Sequence, residues 1–111
     1  MQAAVWRWAP VVAWAALIFA LSSISDLSSG LGWWDLVLRK LAHATEYAIL
    51  GALLLRALRR PGWAVALGIA YAISDEIHQS FVPGRQGSSL DVLIDSAGVI
   101  AGVVVAARRW S

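Results

Sequence analysis

Residues 62–85 read GWAVALGIAYAISDEIHQSFVPGR, and the change of character at Ser74 decides how the whole chain must fold. The first twelve residues suit the interior of a lipid bilayer. Then Asp75, Glu76, His78 and Gln79 arrive within five positions, and Arg85 follows beyond a Pro-Gly turn. An ionisable side chain inside a membrane costs about 3 kcal/mol or more unless neighbouring helices or water supply partners. The stretch therefore predicts a helix whose last turns are met by polar groups from elsewhere in the chain.

Composition supports the membrane setting. Of the 111 residues, 59% are hydrophobic and 14% are charged, against roughly 25% charged in an ordinary soluble domain. The chain has no cysteine, which excludes disulfide frameworks, thiol catalysis and cysteine metal sites. Its arginines flank apolar segments and form no basic face, so no nucleic-acid partner is expected.

A membrane-crossing helix needs roughly 20 mostly apolar residues. Four stretches meet or approach that length, at about 5–23, 37–58, 62–81 and 90–107. The expected fold is an all-α integral membrane protein: a compact bundle of four transmembrane helices in one domain spanning 1–111. The first stretch reads as an uncleaved anchor, because Arg7 is its one early positive charge and its apolar part exceeds a usual signal core. Arg7, the trio Arg56, Arg59 and Arg60, and the pair Arg108 and Arg109 all fall on one side of a four-span chain. By the positive-inside rule both termini are then cytoplasmic. Trp6, Trp8, Trp33, Trp34, Trp63 and Trp110 fall near the proposed interfaces, where indole rings prefer to lie, and Trp14 alone is deep. The connection 22–35 (SSISDLSSGLGWWD) is expected to lie on the outer surface or dip into it.

This orientation gathers the polar residues into one place. Lys40, His43 and Glu46 begin the second stretch, Asp75 to Gln79 end the third, and Asp91 and Asp95 begin the fourth. All belong at the extracytoplasmic level, beneath Arg85. At about 100° per residue, Lys40, His43 and Tyr47 share one helix side, continued by Gly51. Asp75, His78 and Gln79 share another with Gly68 and Ala72, and Asp91 and Asp95 share a third with Gly98 and Gly102. Small residues let membrane helices approach closely, so these stripes are expected to face one another. On this side Arg39, Lys40 and Arg85 stand against five carboxylates, Glu46, Asp75, Glu76, Asp91 and Asp95. Protonated histidines, protonated carboxylates or one divalent metal ion would each restore balance. Arg39 and Asp35 sit close enough to a helix end to reach the headgroups. An ion-pair network that only staples the bundle together is the plainer alternative for the rest.

With those residues placed, a resemblance is apparent. KLAHATEYAILGALL (40–54) and YAISDEIHQSFVPGRQGSSLDVLIDSAGVIAG (71–102) resemble the VanZ-like family of small membrane proteins over roughly residues 37–103. The resemblance implies a multi-pass protein of the bacterial cell membrane, in a family whose namesake is linked to low-level resistance to teicoplanin. The family pattern falls on Lys40, His43, Glu46 and Tyr47. It continues on Asp75, Glu76, His78, Gln79, Phe81, Pro83, Gly84 and Arg85, and then on Asp91, Asp95 and Gly98.

Three functions compete. As an enzyme on a lipid-linked or envelope substrate, the chain would use His43, Glu46, Asp75, Glu76, His78 and Asp95 as acid/base groups. Lys40, Tyr47, Gln79, Arg85 and Asp91 would then bind substrate, with a metal, if any, on His43, Asp75, His78 and Asp95. No H-E-x-x-H spacing or nucleophile motif accompanies them. As a non-catalytic binder, the same pocket would hold an anionic lipid headgroup or wall precursor. Transport is the third, and four short spans leave little room for two gates unless a homo-oligomer supplies it.

Overall fold

The structure, a computed structural model, describes residues 2–22, 33–81 and 89–110. They form four α-helices: α1 (Gln2–Ser22), α2 (Trp33–Leu58), α3 (Pro61–Ser80) and α4 (Ser89–Trp110). Of the connection 22–35, residues 33–35 are the first turn of α2, and residues 23–32 lie outside the described part. So does the turn carrying Pro83, Gly84 and Arg85.

Local sequence explains the tight link between α2 and α3. Arg59 adopts φ 60°, and its N–H donates to the Leu55 carbonyl at 2.7 Å. That bond satisfies one of the carbonyls a helix end leaves open, in the manner of a left-handed C-terminal cap. Arg60 is extended and Pro61 opens α3, where its missing N–H removes nothing the helix would use.

Among the described residues, three helices are long and apolar enough to cross a membrane, over Ala4–Leu21, Val37–Leu58 and Leu90–Arg109. The sequence predicts four. α3 has the length, at 20 residues, but Asp75, Glu76, His78 and Gln79 in its last turns dilute its apolar character. The bundle measures 43 Å along its long axis, close to the ~40–45 Å of a bilayer with its headgroups. Large apolar side chains cover the outside, among them Val5, Leu41, Leu67, Ile77, Leu93 and Val105. Trp6 and Trp63 are exposed at the arginine-bearing end.

The core lies between α2, α3 and α4, with α1 packed against α2 and α3 and making no contact with α4. α2 and α4 form the closest pair. A Cβ on Gly98 would run into the Ala44 carbonyl, and one on Gly102 into that of Ala48. Gly51 and Gly68 close on Val99 from α2 and α3, where a Cβ would come within 2.6 Å and 2.5 Å of it. Dispersion between backbones this near is what holds helices together in lipid, where no hydrophobic force acts between them.

α1 is fastened by polar side chains reaching backbone carbonyls. Arg7 donates to Ala57, Trp14 Nε1 to Glu46 at 2.9 Å, and Tyr71 Oη to Ala15. The deep Trp14 is thereby satisfied inside the bundle, as a buried indole N–H requires.

Gly102→Ala should cost about 1–3 kcal/mol, because the added methyl must force α2 and α4 apart. Gly62→Ala, where a Cβ meets nothing within 4 Å, should leave stability unchanged or slightly raised. Equilibrium unfolding in mixed detergent micelles measures both.

Candidate functional site

The helix faces fixed by this packing bring three polar side chains together. His43 from α2, Asp75 from α3 and Asp95 from α4 each offer one ligand-type atom, and these atoms lie within 4.8 Å of one another. On α3 the buried face runs Ala64, Gly68, Ala72, Asp75, Gln79, so Asp75 continues the stripe that packs inward. Asp95 precedes Gly98 by nearly one turn and is turned into the same space by that glycine's contact with Ala44. At ~1.5 Å per residue the cluster lies roughly 8–15 Å inside the end where α2 and α4 begin and α3 finishes.

Both aspartates are deeply buried, Asp75 at 3% exposure and Asp95 at 4%. Tyr47, fully buried behind Asp75, donates its phenol to Oδ2 at 2.9 Å. Gln79 Nε2 stands 3.5 Å from the same oxygen, at the outer limit of a hydrogen bond. Oδ1 of Asp75 and Oδ1 of Asp95 have no hydrogen-bond partner among the described residues. His43 Nδ1 lies 3.6 Å from Glu46 Oε2 one turn along α2. At the rim, Lys40 is paired with Asp91.

A small cleft of about 80 Å³ opens beside the cluster, lined by Leu21, Arg39, Ala42, His43 and Glu46. At ~30 Å³ per water it admits about two or three waters, enough for part of a headgroup. Two larger grooves, of about 410 and 450 Å³, run along the outer flank of α2 and α4 among Ala48, Ala101 and Gly102 or Gly98. Their walls are almost wholly apolar, and they lie away from the polar cluster.

The sequence-derived site is thus partly redistributed. His43, Asp75 and Asp95 meet, and Glu46 stands beside His43. Tyr47 and Gln79, expected to bind substrate, are buried and turned to Asp75, so they hold a carboxylate in place. Lys40 and Asp91 engage each other. His78, expected with the metal ligands, faces α1 and stacks on Phe19 with ring centroids 4.1 Å apart. Glu76 is half-buried on the flank of α3 and outside the convergent group. Arg85 lies outside the described residues. Arg39, assigned to the headgroups from sequence, lines the cleft with its Nε buried. Its spacing of four to His43 and seven to Glu46 was the available signal, since all three fall on one helix face.

Residues 3–109 match the family model described as VanZ/LLP1. No curated protein and no solved structure matches the chain.

Tyr47→Phe should cost about 1–3 kcal/mol of stability, because it leaves a buried carboxylate oxygen without its donor. Tyr71→Phe should cost less, since the Ala15 carbonyl it abandons sits within α1 and keeps the helix's own hydrogen bonding. Unfolding of the two variants side by side in detergent measures the difference. Equal losses would show that the phenol of Tyr47 does not hold Asp75.

Proposed function

This chain belongs to the VanZ/LLP1 family, and we propose that it is a four-span protein of the bacterial cell membrane whose polar pocket faces outward. In this reading α3 crosses the bilayer with the other three helices, and its polar last turns are sheltered by α2 and α4. Arg56, Arg59, Arg60, Arg108 and Arg109 collect at the opposite end of the bundle from the His43, Asp75 and Asp95 cluster. The positive-inside rule supports assigning that arginine end to the cytoplasm.

The pocket engages a lipid-linked or wall-related substrate of the envelope through its anionic headgroup, and so contributes to resistance to teicoplanin-type glycopeptides. One observation carries this reading: three helices deliver ionisable groups to one point, two of them buried, beside a small cleft. A network serving only to staple helices would pair its charges, as Lys40 and Asp91 do at the rim. Asp75 and Asp95 instead each keep a buried Oδ1 without a hydrogen bond among the described residues. Groups held this way, at cost to stability, are the usual mark of a working site. Arg39 in the cleft supplies a guanidinium suited to phosphate or carboxylate.

Expression in a teicoplanin-sensitive bacterium should lower its sensitivity to the drug. Asp95→Asn and His43→Ala should abolish that protection at equal protein level, and Thr45→Ala, on the exposed side of α2, should retain it. In the same cells a cysteine at Ser80 should react with a membrane-impermeant maleimide and one at Gly62 should not. Protection that survives Asp95→Asn, or the reverse labelling pattern, would contradict the reading.

A further inference from the structure

An outward pocket for an anionic headgroup contains a contradiction. Its buried centre holds two carboxylates, and like charges in a low-dielectric site repel a phosphate as strongly as they repel each other. The chain's one lysine, Lys40, is committed to Asp91, and Arg39, which lines the cleft, is a single guanidinium beside a cluster with two carboxylates. Arg7, Arg56, Arg59 and Arg60 stand at the far end of the bundle. Two neighbouring buried carboxylates need a neutralising partner, either a proton or a cation.

We infer that His43, Asp75 and Asp95 together bind a divalent transition-metal ion, which forms the floor of the pocket. The donor set is one imidazole nitrogen and two carboxylate oxygens, drawn from three helices and already within 4.8 Å of one another. Ligands at ~2.0–2.2 Å from such an ion lie roughly 3–4 Å apart. Small torsional adjustments of the three side chains close that gap. Asp95, nine-tenths and more buried, has an Oδ1 that accepts no hydrogen bond among the described residues, and it offers a ligand atom to the group. That is how a carboxylate stands when its partner is an ion and not a donor from the protein.

The surroundings match the way metal ligands are held. Tyr47 fixes Asp75 through Oδ2 and leaves Oδ1 without a hydrogen bond among the described residues. Glu46 Oε2 stands 3.6 Å from His43 Nδ1, a charge contact one turn along α2 that is longer than a hydrogen bond. Outer groups of this kind orient ligands and raise their basicity. A mixed set of one nitrogen and two oxygens suits Zn²⁺ or Mn²⁺, whereas Ca²⁺ asks for six to eight oxygens. Three protein ligands leave coordination positions open, as at sites where a metal meets a substrate. A phosphate oxygen would fit such a position, so the ion would convert a repelling centre into an attracting one. The role of the ion rests on the pocket reading above, while its binding can be tested without any lipid.

The experiment uses the full chain purified in detergent, stripped with chelator and dialysed, then titrated with Zn²⁺ or Mn²⁺ alone. Wild type should retain about one ion per chain by elemental analysis and unfold at higher temperature with the ion present. His43→Ala and the near-isosteric Asp95→Asn should lose stoichiometric binding. Tyr47→Phe, whose phenol acts on the ion only through Asp75, should weaken binding about 10–100-fold. Cooperatively folded wild type that binds neither ion, or binding unchanged in Asp95→Asn, would overturn the inference. Drug protection in cells by a chain that binds no metal would refute the ion and spare the pocket. A bound ion without drug protection would support the ion and refute the resistance role.

Discussion

Gly98 rests against the carbonyl of Ala44, and one turn further on Gly102 rests against that of Ala48. Everything else in the bundle depends on this seam. In lipid the helices gain nothing from hiding apolar surface, so α2 and α4 associate because their backbones can touch. Once they touch, their rotation is fixed, and Asp95 and His43 are turned into the same interior space. Val99, between the two glycines, then receives Gly51 from α2 and Gly68 from α3. That contact sets the face of α3 and brings in Asp75 two turns beyond Gly68. A polar centre so placed is a consequence of close packing, and it cannot drift without opening the seam.

Charge follows from geometry. At the rim, Lys40 and Asp91 pair with each other and both stay partly exposed. Deeper, Tyr47 and Gln79 address one oxygen of Asp75, and both aspartates keep Oδ1 atoms that no described donor reaches. A protein that buried these groups for stability alone would do better with apolar residues of the same volume. Their retention is intelligible if something outside the chain completes the site. The proposed cation would satisfy the carboxylates, and its open coordination positions would give an anionic headgroup a reason to enter.

Much of this was legible in sequence because helical periodicity converts spacing into direction. The steps from Asp95 to Gly98 to Gly102, and from Gly68 to Ala72 to Asp75, name the inward faces of α4 and α3 without any structure. Periodicity says less where a helix is apolar all round. Nothing in α1 singles out Ala15 as the carbonyl that Tyr71 reaches, or Phe19 as the ring on which His78 stacks. His78 shares a side of α3 with Asp75, which in sequence groups it with the ligands, yet a helix face of that width touches two neighbours. Tyr47 and Gln79 were legible as polar and inward, but their role as supports required the depth that only packing provides. The apolar character of α3 is diluted for a different reason, since the buried polar turn around Asp75 follows an apolar run from Trp63 to Ile73.

The central claim is that one residue from each of three helices meets at a point that holds an ion. X-ray diffraction from crystals soaked in Mn²⁺ or Zn²⁺, recorded at the metal's absorption edge, tests it most directly. A single anomalous peak about 2.0–2.2 Å from an imidazole nitrogen of His43 and from carboxylate oxygens of Asp75 and Asp95 is the expected result. An ordered His43, Asp75 and Asp95 with no peak among them, or with the three side chains pointing apart, would contradict it.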